Sequence, residues 1–217
     1  GRLQFAGDLT RADSIDDLTR RLYAGIDQVF DAVVVGFDLL DPVTHRPRST
    51  SAQGVSRFFL ARYDRVARAA DPVLNRAIDS QDLAYNLAMM SPEEWQDSGI
   101  YRDVFSLHHM TGIVYAPVIV AGSVIGTLNL GRAADGAVFN ADELQDAGEL
   151  AVLLGSIIAS LWQRASLERE LQLFRMALDT VSEAVVISDM QQAARYANRA
   201  ALDVLAGQPA DAPSLDE

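Results

Sequence analysis

Residues 112 to 139 read GIVYAPVIVAGSVIGTLNLGRAADGAVF, and this stretch decides the fold. Ile113 to Val120 is a β-branched run containing Tyr115 and Pro117, Ala121-Gly122 is a turn, and Ser123 to Leu130 resumes as a second strand. The pair predicts a β-hairpin. In its second arm Val124, Gly126, Leu128 and Leu130 share one face, whereas Ile125, Thr127 and Asn129 share the other, because successive strand side chains alternate. One face is therefore apolar and the other mixed, and a mixed face beneath helices can line a pocket.

Upstream the period changes once. Ser14 and Asp17 form a capping pair, after which Ile15, Leu18, Leu22, Ile26 and Val29 recur at three- and four-residue intervals, predicting a helix with one buried face. After Phe30 the period falls to two, with Val33, Val35, Phe37 and Leu39 on one side, so a strand is expected that ends at Asp41-Pro42. Thr44 to Gln53 contains Pro47 and lacks a continuous apolar face, which predicts a turn followed by an exposed or edge strand. Val55 to Ala70 reads as helical, with Phe58, Phe59, Arg62, Tyr63 and Val66 along it. At Asp71-Pro72 one helix stops and another starts, since Asp caps exposed amides and Pro is tolerated at the first helical position. Ser91 and Glu94 repeat the device as a capping box, placing Trp95 on a short helix with Tyr101 and Phe105 as its packing partners.

Downstream, Asn140 and Glu143 form another reciprocal cap, with Phe139 and Leu144 as the hydrophobic staple around it. Beyond it Leu150, Leu154, Ile157 and Leu161 follow a four-three-four spacing, and Leu167, Leu171, Phe174 and Leu178 continue it to Val181. Gln163 to Ser166 interrupts the register, as a stutter in a coiled coil does or as a helix leaving the body of its domain does. The expectation is a long connecting helix over 142–181 that packs in parallel against a second copy through those leucines, Ile157 and Phe174. Ala184 to Asp189 then reads as a strand, residues 190–192 as a turn, and Ala193 onward as a second strand running into a helix. The Pro- and Ala-rich end, 208–217, reads as a flexible tail.

The hairpin with its flanks resembles the centre of a GAF domain: Pro117, Gly122, Gly126, Thr127, Leu128, Asn129, Phe139 and Asp142 occur in that family's order. Asp71-Pro72-Val73 and SPEEWQDSGIYRDVF, Ser91 to Phe105, resemble the GAF variant found ahead of LuxR-type helix-turn-helix domains. The likeness covers roughly residues 10–165. Residues 182–207 resemble the opening of a PAS domain, with Asp189 and Asn198 at its most recognisable polar positions, although its remaining strands do not follow. These resemblances imply an α+β fold: an antiparallel or mixed sheet of five to six strands with helices on both faces, a long connecting helix, and a short PAS-like hairpin. They imply a sensory and dimerisation region of an intracellular bacterial signalling protein, a LuxR-type transcriptional regulator. The alternatives are a ligand-free dimerisation module, or the sensor region of a histidine kinase or cyclic-nucleotide signalling protein. A small molecule would sit beneath the segment 83–110 against the mixed face, with Tyr115, Asn129 and His108 as polar candidates and Trp95, Tyr101 and Phe105 as apolar walls.

Composition narrows the chemistry. The net charge is −12 and all basic residues are arginine, which disfavours P-loop or Schiff-base lysine chemistry and broad contact of this chain with a phosphate backbone. The chain has no cysteine, which removes thiol catalysis, zinc–thiolate sites, covalent bilin attachment and the cysteine chemistry of the GAF reductases that act on free methionine sulfoxide. No Gly-x-Ser-x-Gly elbow or glycine-rich nucleotide loop is present, so no enzyme activity is expected. The adjacent His108 and His109 point apart on an extended backbone and have no third ligand at recognisable spacing, so no metal or other cofactor is expected. Neither a basic-then-apolar leader nor a membrane span is read from the sequence, and a cytoplasmic homodimer is expected.

Overall fold

The computed structural model describes residues 1–32, 34–134, 136–191 and 193–207. Val33, expected on the first strand, and the expected tail 208–217 lie outside the described residues. The chain divides into two compact units, Gly1–Leu161 and Trp162–Glu217.

The first unit begins with α1 (Arg2–Leu9), which the sequence reading had not placed, and α2 (Ile15–Gly25), whose first turn is capped where the Ser14 hydroxyl accepts from the Asp17 amide at 3.2 Å. Next come β1 (Val34–Leu40), the edge strand β2 (Pro47–Gln53) and α3 (Arg57–Arg62). The expected helix from Val55 to Ala70 is broken: α3 passes into a π-helical turn over Tyr63–Ala67 and a 3-10 turn over Arg68–Ala70. The reason lies in Tyr63 and Arg68, both buried and stacked with the guanidinium carbon 4.9 Å from the ring centroid. Residues five apart lie roughly 140° apart around an α-helix, and the wider π turn brings them onto one side. Five short elements follow: α4 (Pro72–Ser80), β3 (Ala84–Tyr85), α5 (Asn86–Met89), α6 (Pro92–Asp97) and α7 (Gly99–Asp103). Then come β4 (Met110–Val120), β5 (Ser123–Ala133) and α8 (Ala141–Asp179), an uninterrupted helix through the sequence Gln163 to Ser166.

The sheet is antiparallel in the order β2-β1-β5-β4-β3. Ala121 and Gly122, at φ 50° and 77°, make the two-residue connection between β4 and β5, since two positive φ values match the twist of the strands. The side-chain alternation holds along β5 from Gly126 to Leu130 and breaks before it, so that Val124 is not part of the core that holds Leu128 and Leu130. Val118 pairs with Gly126 and Ile119 with Val124, so Ile125 is the extra residue of a bulge and joins Leu128 and Leu130 in the apolar core instead of facing Thr127 and Asn129.

That core lies between one face of the sheet and α1, α2 and α8, with Leu18, Leu22, Leu128, Leu154 and Ile158 wholly buried, each contributing about 2 kcal/mol of transfer free energy. Length and composition would allow α8 to cross a membrane, but Leu150, Leu154, Ile157, Ile158 and Leu161 of its first-unit part lie in this core. Leu150, Leu154, Ile157 and Leu161, expected on the self-association face, are buried in this core of the first unit. Arg132, only 5% exposed, ties the end of β5 to the start of α8: it donates to the Asp31, Ala137 and Val138 carbonyls and to Glu143, and lies 4.1 Å over the Phe139 ring. Glu143 also accepts from the Asn140 amide, and its own amide donates to Asn140.

The second unit is organised by Asn198, which is fully buried. Its Nδ2 donates to the carbonyls of Leu178, Val181 and Glu183, and its Oδ1 accepts from the amides of Val185 and Ala201. One side chain thus joins the end of α8 to the hairpin of β6 (Val186–Ser188) and β7 (Ala194–Ala197), and caps α9 (Arg199–Ala206). Asp189 holds the hairpin turn by accepting from the Gln191 and Ala193 amides and from Arg195.

Gly155 of α8 sits where an added Cβ would lie 2.6 Å from the Ile119 carbonyl oxygen, so helix and sheet meet backbone to backbone. Gly155→Ala should destabilise the protein by about 1–3 kcal/mol in urea unfolding, the overpacking cost exceeding the gain in helix propensity. An unchanged or raised unfolding midpoint would show that α8 can shift away from β4.

Candidate functional site

The other face of the sheet is different in kind. Val34, Gly36 and Asp38 of β1, Asn129 and Gly131 of β5, and Ile113 and Tyr115 of β4 form its floor. Phe59, Leu60, Tyr63 and Arg68 cover it from the α3 segment, and Phe105 and Met110 close one side. Between them lies a recess of about 50 Å³, room for a few water-sized groups. Two glycines shape the floor. A Cβ on Gly36 would stand 3.1 Å from the Asn129 Nδ2, and one on Gly131 would stand 2.8 Å from the Met110 sulfur, so each lets a cross-strand neighbour lie flat on the sheet.

A buried polar network surrounds the recess. Arg68 donates to Asp38 Oδ2 at 3.0 Å, to Asp64 at 2.6 Å and to the Thr50 hydroxyl at 3.3 Å. Burial works against its charge, but Asp38, Tyr63 and Asp64 outweigh it and hold the guanidinium above its ordinary pKa. Asn129 Nδ2 donates to the same Asp38 oxygen at 3.1 Å. Three neighbouring buried atoms have no partner: Asp38 Oδ1, Asn129 Oδ1 and the hydroxyl of Thr127, the residue paired with Asp38 across β1 and β5.

Beside this pair sits Asp71. Its Oδ1 caps α4 by accepting from the Val73 and Leu74 amides at 2.9 and 3.2 Å, and its Oδ2 lies 2.8 Å from the Tyr63 hydroxyl and 2.9 Å from that of Tyr115. The two hydroxyls are themselves 2.9 Å apart. Both phenols donate to that one carboxyl oxygen. Burial pushes the Asp71 pKa up against the hydrogen bonds that lower it, and burial likewise raises both tyrosines.

Of the residues singled out from the sequence, Phe105, Tyr115 and Asn129 meet around the recess. Trp95 is a packing anchor behind it, wholly buried, with its ring nitrogen donating to the Met110 carbonyl and its ring 5.4 Å from Phe105 and 6.1 Å from Tyr101. Tyr101 packs at that outer edge, and His108 ends a 3-10 turn edge-on to Phe59 at 5.2 Å; neither lines the recess. His109 has a left-handed backbone, not an extended one. The principal cover is the α3 segment, not 83–110, and sequence reading missed Asp38, Arg68 and Asp71 as site residues. A charged residue in the middle of the apolar run VVGFDLL was the available signal for Asp38.

No protein-family model and no curated protein matches the chain. Solved structures do. A GAF domain/HD domain protein from Geobacter sulfurreducens superposes with a TM-score of 0.53 at 15% identity, over 73% of this chain and 98% of the other. A domain of a putative two-component sensor histidine kinase from Sinorhizobium meliloti 1021 gives 0.54 at 16% identity, over 73% and 99%. The free methionine-R-sulfoxide reductase of Neisseria meningitidis, solved with its substrate, gives 0.55 at 17%, over 75% and 88%. The fold is that of a GAF domain.

A carboxyl with a raised folded pKa holds its proton more tightly folded than unfolded, so the Asp71 contribution is full below the ordinary value of 3.8 and is lost as pH rises through the raised one. Urea unfolding across that range should show stability falling with pH in the wild type relative to Asp71→Asn, which keeps the cap but has no proton to lose. Parallel profiles would mean that Asp71 is ionised in the fold.

Proposed function

We propose that this chain is the sensory and coupling region of a cytoplasmic bacterial signalling protein, a LuxR-type transcriptional regulator, that binds a small molecule in the recess. The observation that carries the reading is the pair of unpartnered buried oxygens on Asp38 and Asn129, both of which line the recess. Such atoms cost about 1–3 kcal/mol each when left unsatisfied, which favours an occupant that supplies their hydrogen bonds. The reading is non-catalytic, because Asp38, Arg68 and Asp71 are engaged with one another or with their own backbone. The acidic, lysine-free chain supports an output that lies in another part of the protein over direct contact with nucleic acid.

Two observations favour other readings. The small volume of the recess favours a ligand-free dimerisation module, and the likeness to the Sinorhizobium meliloti domain favours a sensor histidine kinase output. Native mass spectrometry of the protein purified from bacterial cytoplasm is the direct test. A mass excess lost on denaturation is the expected result, and the bare chain mass in every charge state would favour the ligand-free module.

Coupling in this reading uses a homodimer. Leu167, Leu171 and Phe174 recur at four- and three-residue spacing on α8, each more than half exposed, and Leu178 is half-buried. Each leucine fully covered by a second copy contributes about 2 kcal/mol. Sedimentation equilibrium should give a dimer for the wild type and a monomer for Leu167→Glu combined with Leu171→Glu. A monomeric wild type would remove the dimer from the proposal.

A further inference from the structure

The unpartnered atoms of the recess define what it would hold, and this step rests on the sensory reading above. Two unpartnered oxygens belong to residues that line it, Asp38 Oδ1 and Asn129 Oδ1, and both can only accept. An entering carboxylate or phosphate would set lone pairs against lone pairs. A cation is disfavoured for a different reason: Arg68 already lies 3.0 Å from Asp38, so a buried ammonium would sit against a guanidinium. The remaining walls are apolar, from Val34, Ile113, Phe59 and Phe105. We propose that the recess selects a neutral hydrogen-bond donor, an amide or hydroxyl head on a short apolar body, seated between Asp38 Oδ1 and Asn129 Oδ1.

Gly36 adds a positional argument. Without its Cβ the Asn129 side chain lies over β1, its nitrogen turned to Asp38 and its oxygen free. The amide orientation is thereby fixed by Asp38, which accepts and never donates, and the free atom offered to the recess is the oxygen.

The test uses three probes of nearly equal shape on the full chain: propionamide, propionate and propylammonium, followed by two-dimensional amide NMR at matched concentrations. Propionamide should shift the resonances of Gly36, Gly131 and Tyr115 saturably. Asn129→Leu, which removes one acceptor, should weaken that binding about tenfold or more, as expected for a lost hydrogen bond in a buried site. Should Asn129→Leu fail to fold, Gly36→Ala, whose added Cβ would stand 3.1 Å from the Asn129 Nδ2 and push that side chain aside, should weaken the same titration in the same direction. Saturation by propionate or propylammonium at least as tight as by propionamide would overturn the donor-head inference and leave the sensory reading intact. No saturable shift with any probe would mean that the recess holds water alone, and would overturn both.

Discussion

Asp71 is the group on which the polar half of the first unit depends. One oxygen ends the irregular segment after α3 by capping α4, and the other receives Tyr63 from that segment and Tyr115 from the sheet. Three separately folded pieces are held by a single carboxyl, inside a region where water cannot replace a lost partner. Removing one partner of such a set costs more than the mean worth of a hydrogen bond, because the groups left behind remain buried. The Arg68–Asp38 pair beside it follows the same logic, and its value is positional: replacing both charges by apolar groups need not weaken a fold, whereas removing one does.

The two faces of the sheet therefore do different work. The face under α2 and α8 is filled by apolar side chains, and helix and sheet come down to backbone contact at Gly155. The opposite face mixes aromatic packing with charge. Its cover is a chain of short turns, and its hydrogen bonds, not helix propensity, keep the π turn at Tyr63–Ala67 in place. A segment held by a few directional bonds is easier to reset by a ligand than one held by an apolar core, because fewer contacts have to be exchanged.

Much of this was legible in the sequence where local chemistry was strong. The β4–β5 hairpin was, because alternation and the Ala121-Gly122 turn point the same way, and so were the caps at Ser14, Asp71, Ser91 and Asn140. Ile125 was misplaced because a bulge shifts one residue without a sequence mark. α1 was missed since its weak apolar periodicity gives only Phe5 and Leu9 to the core. Tyr115, Asn129 and Phe105 could be nominated because they lie on or beside the hairpin, whereas Arg68 and Asp38 are 30 residues apart and become a site only through tertiary pairing. The leucine spacing along α8 was real, but spacing alone does not say whether a partner is the chain's own sheet or another copy.

Arg132 carries a mechanical consequence. Its guanidinium joins β5 to the first turn of α8 through Glu143 and the carbonyls just before that helix, while its ring partner Phe139 is locked in the core. A helix pinned to a strand at its first turn cannot spin about its own axis while the strand stays still. Strand and helix start therefore form one elbow, and a shift on either side of it has to be accommodated on the other.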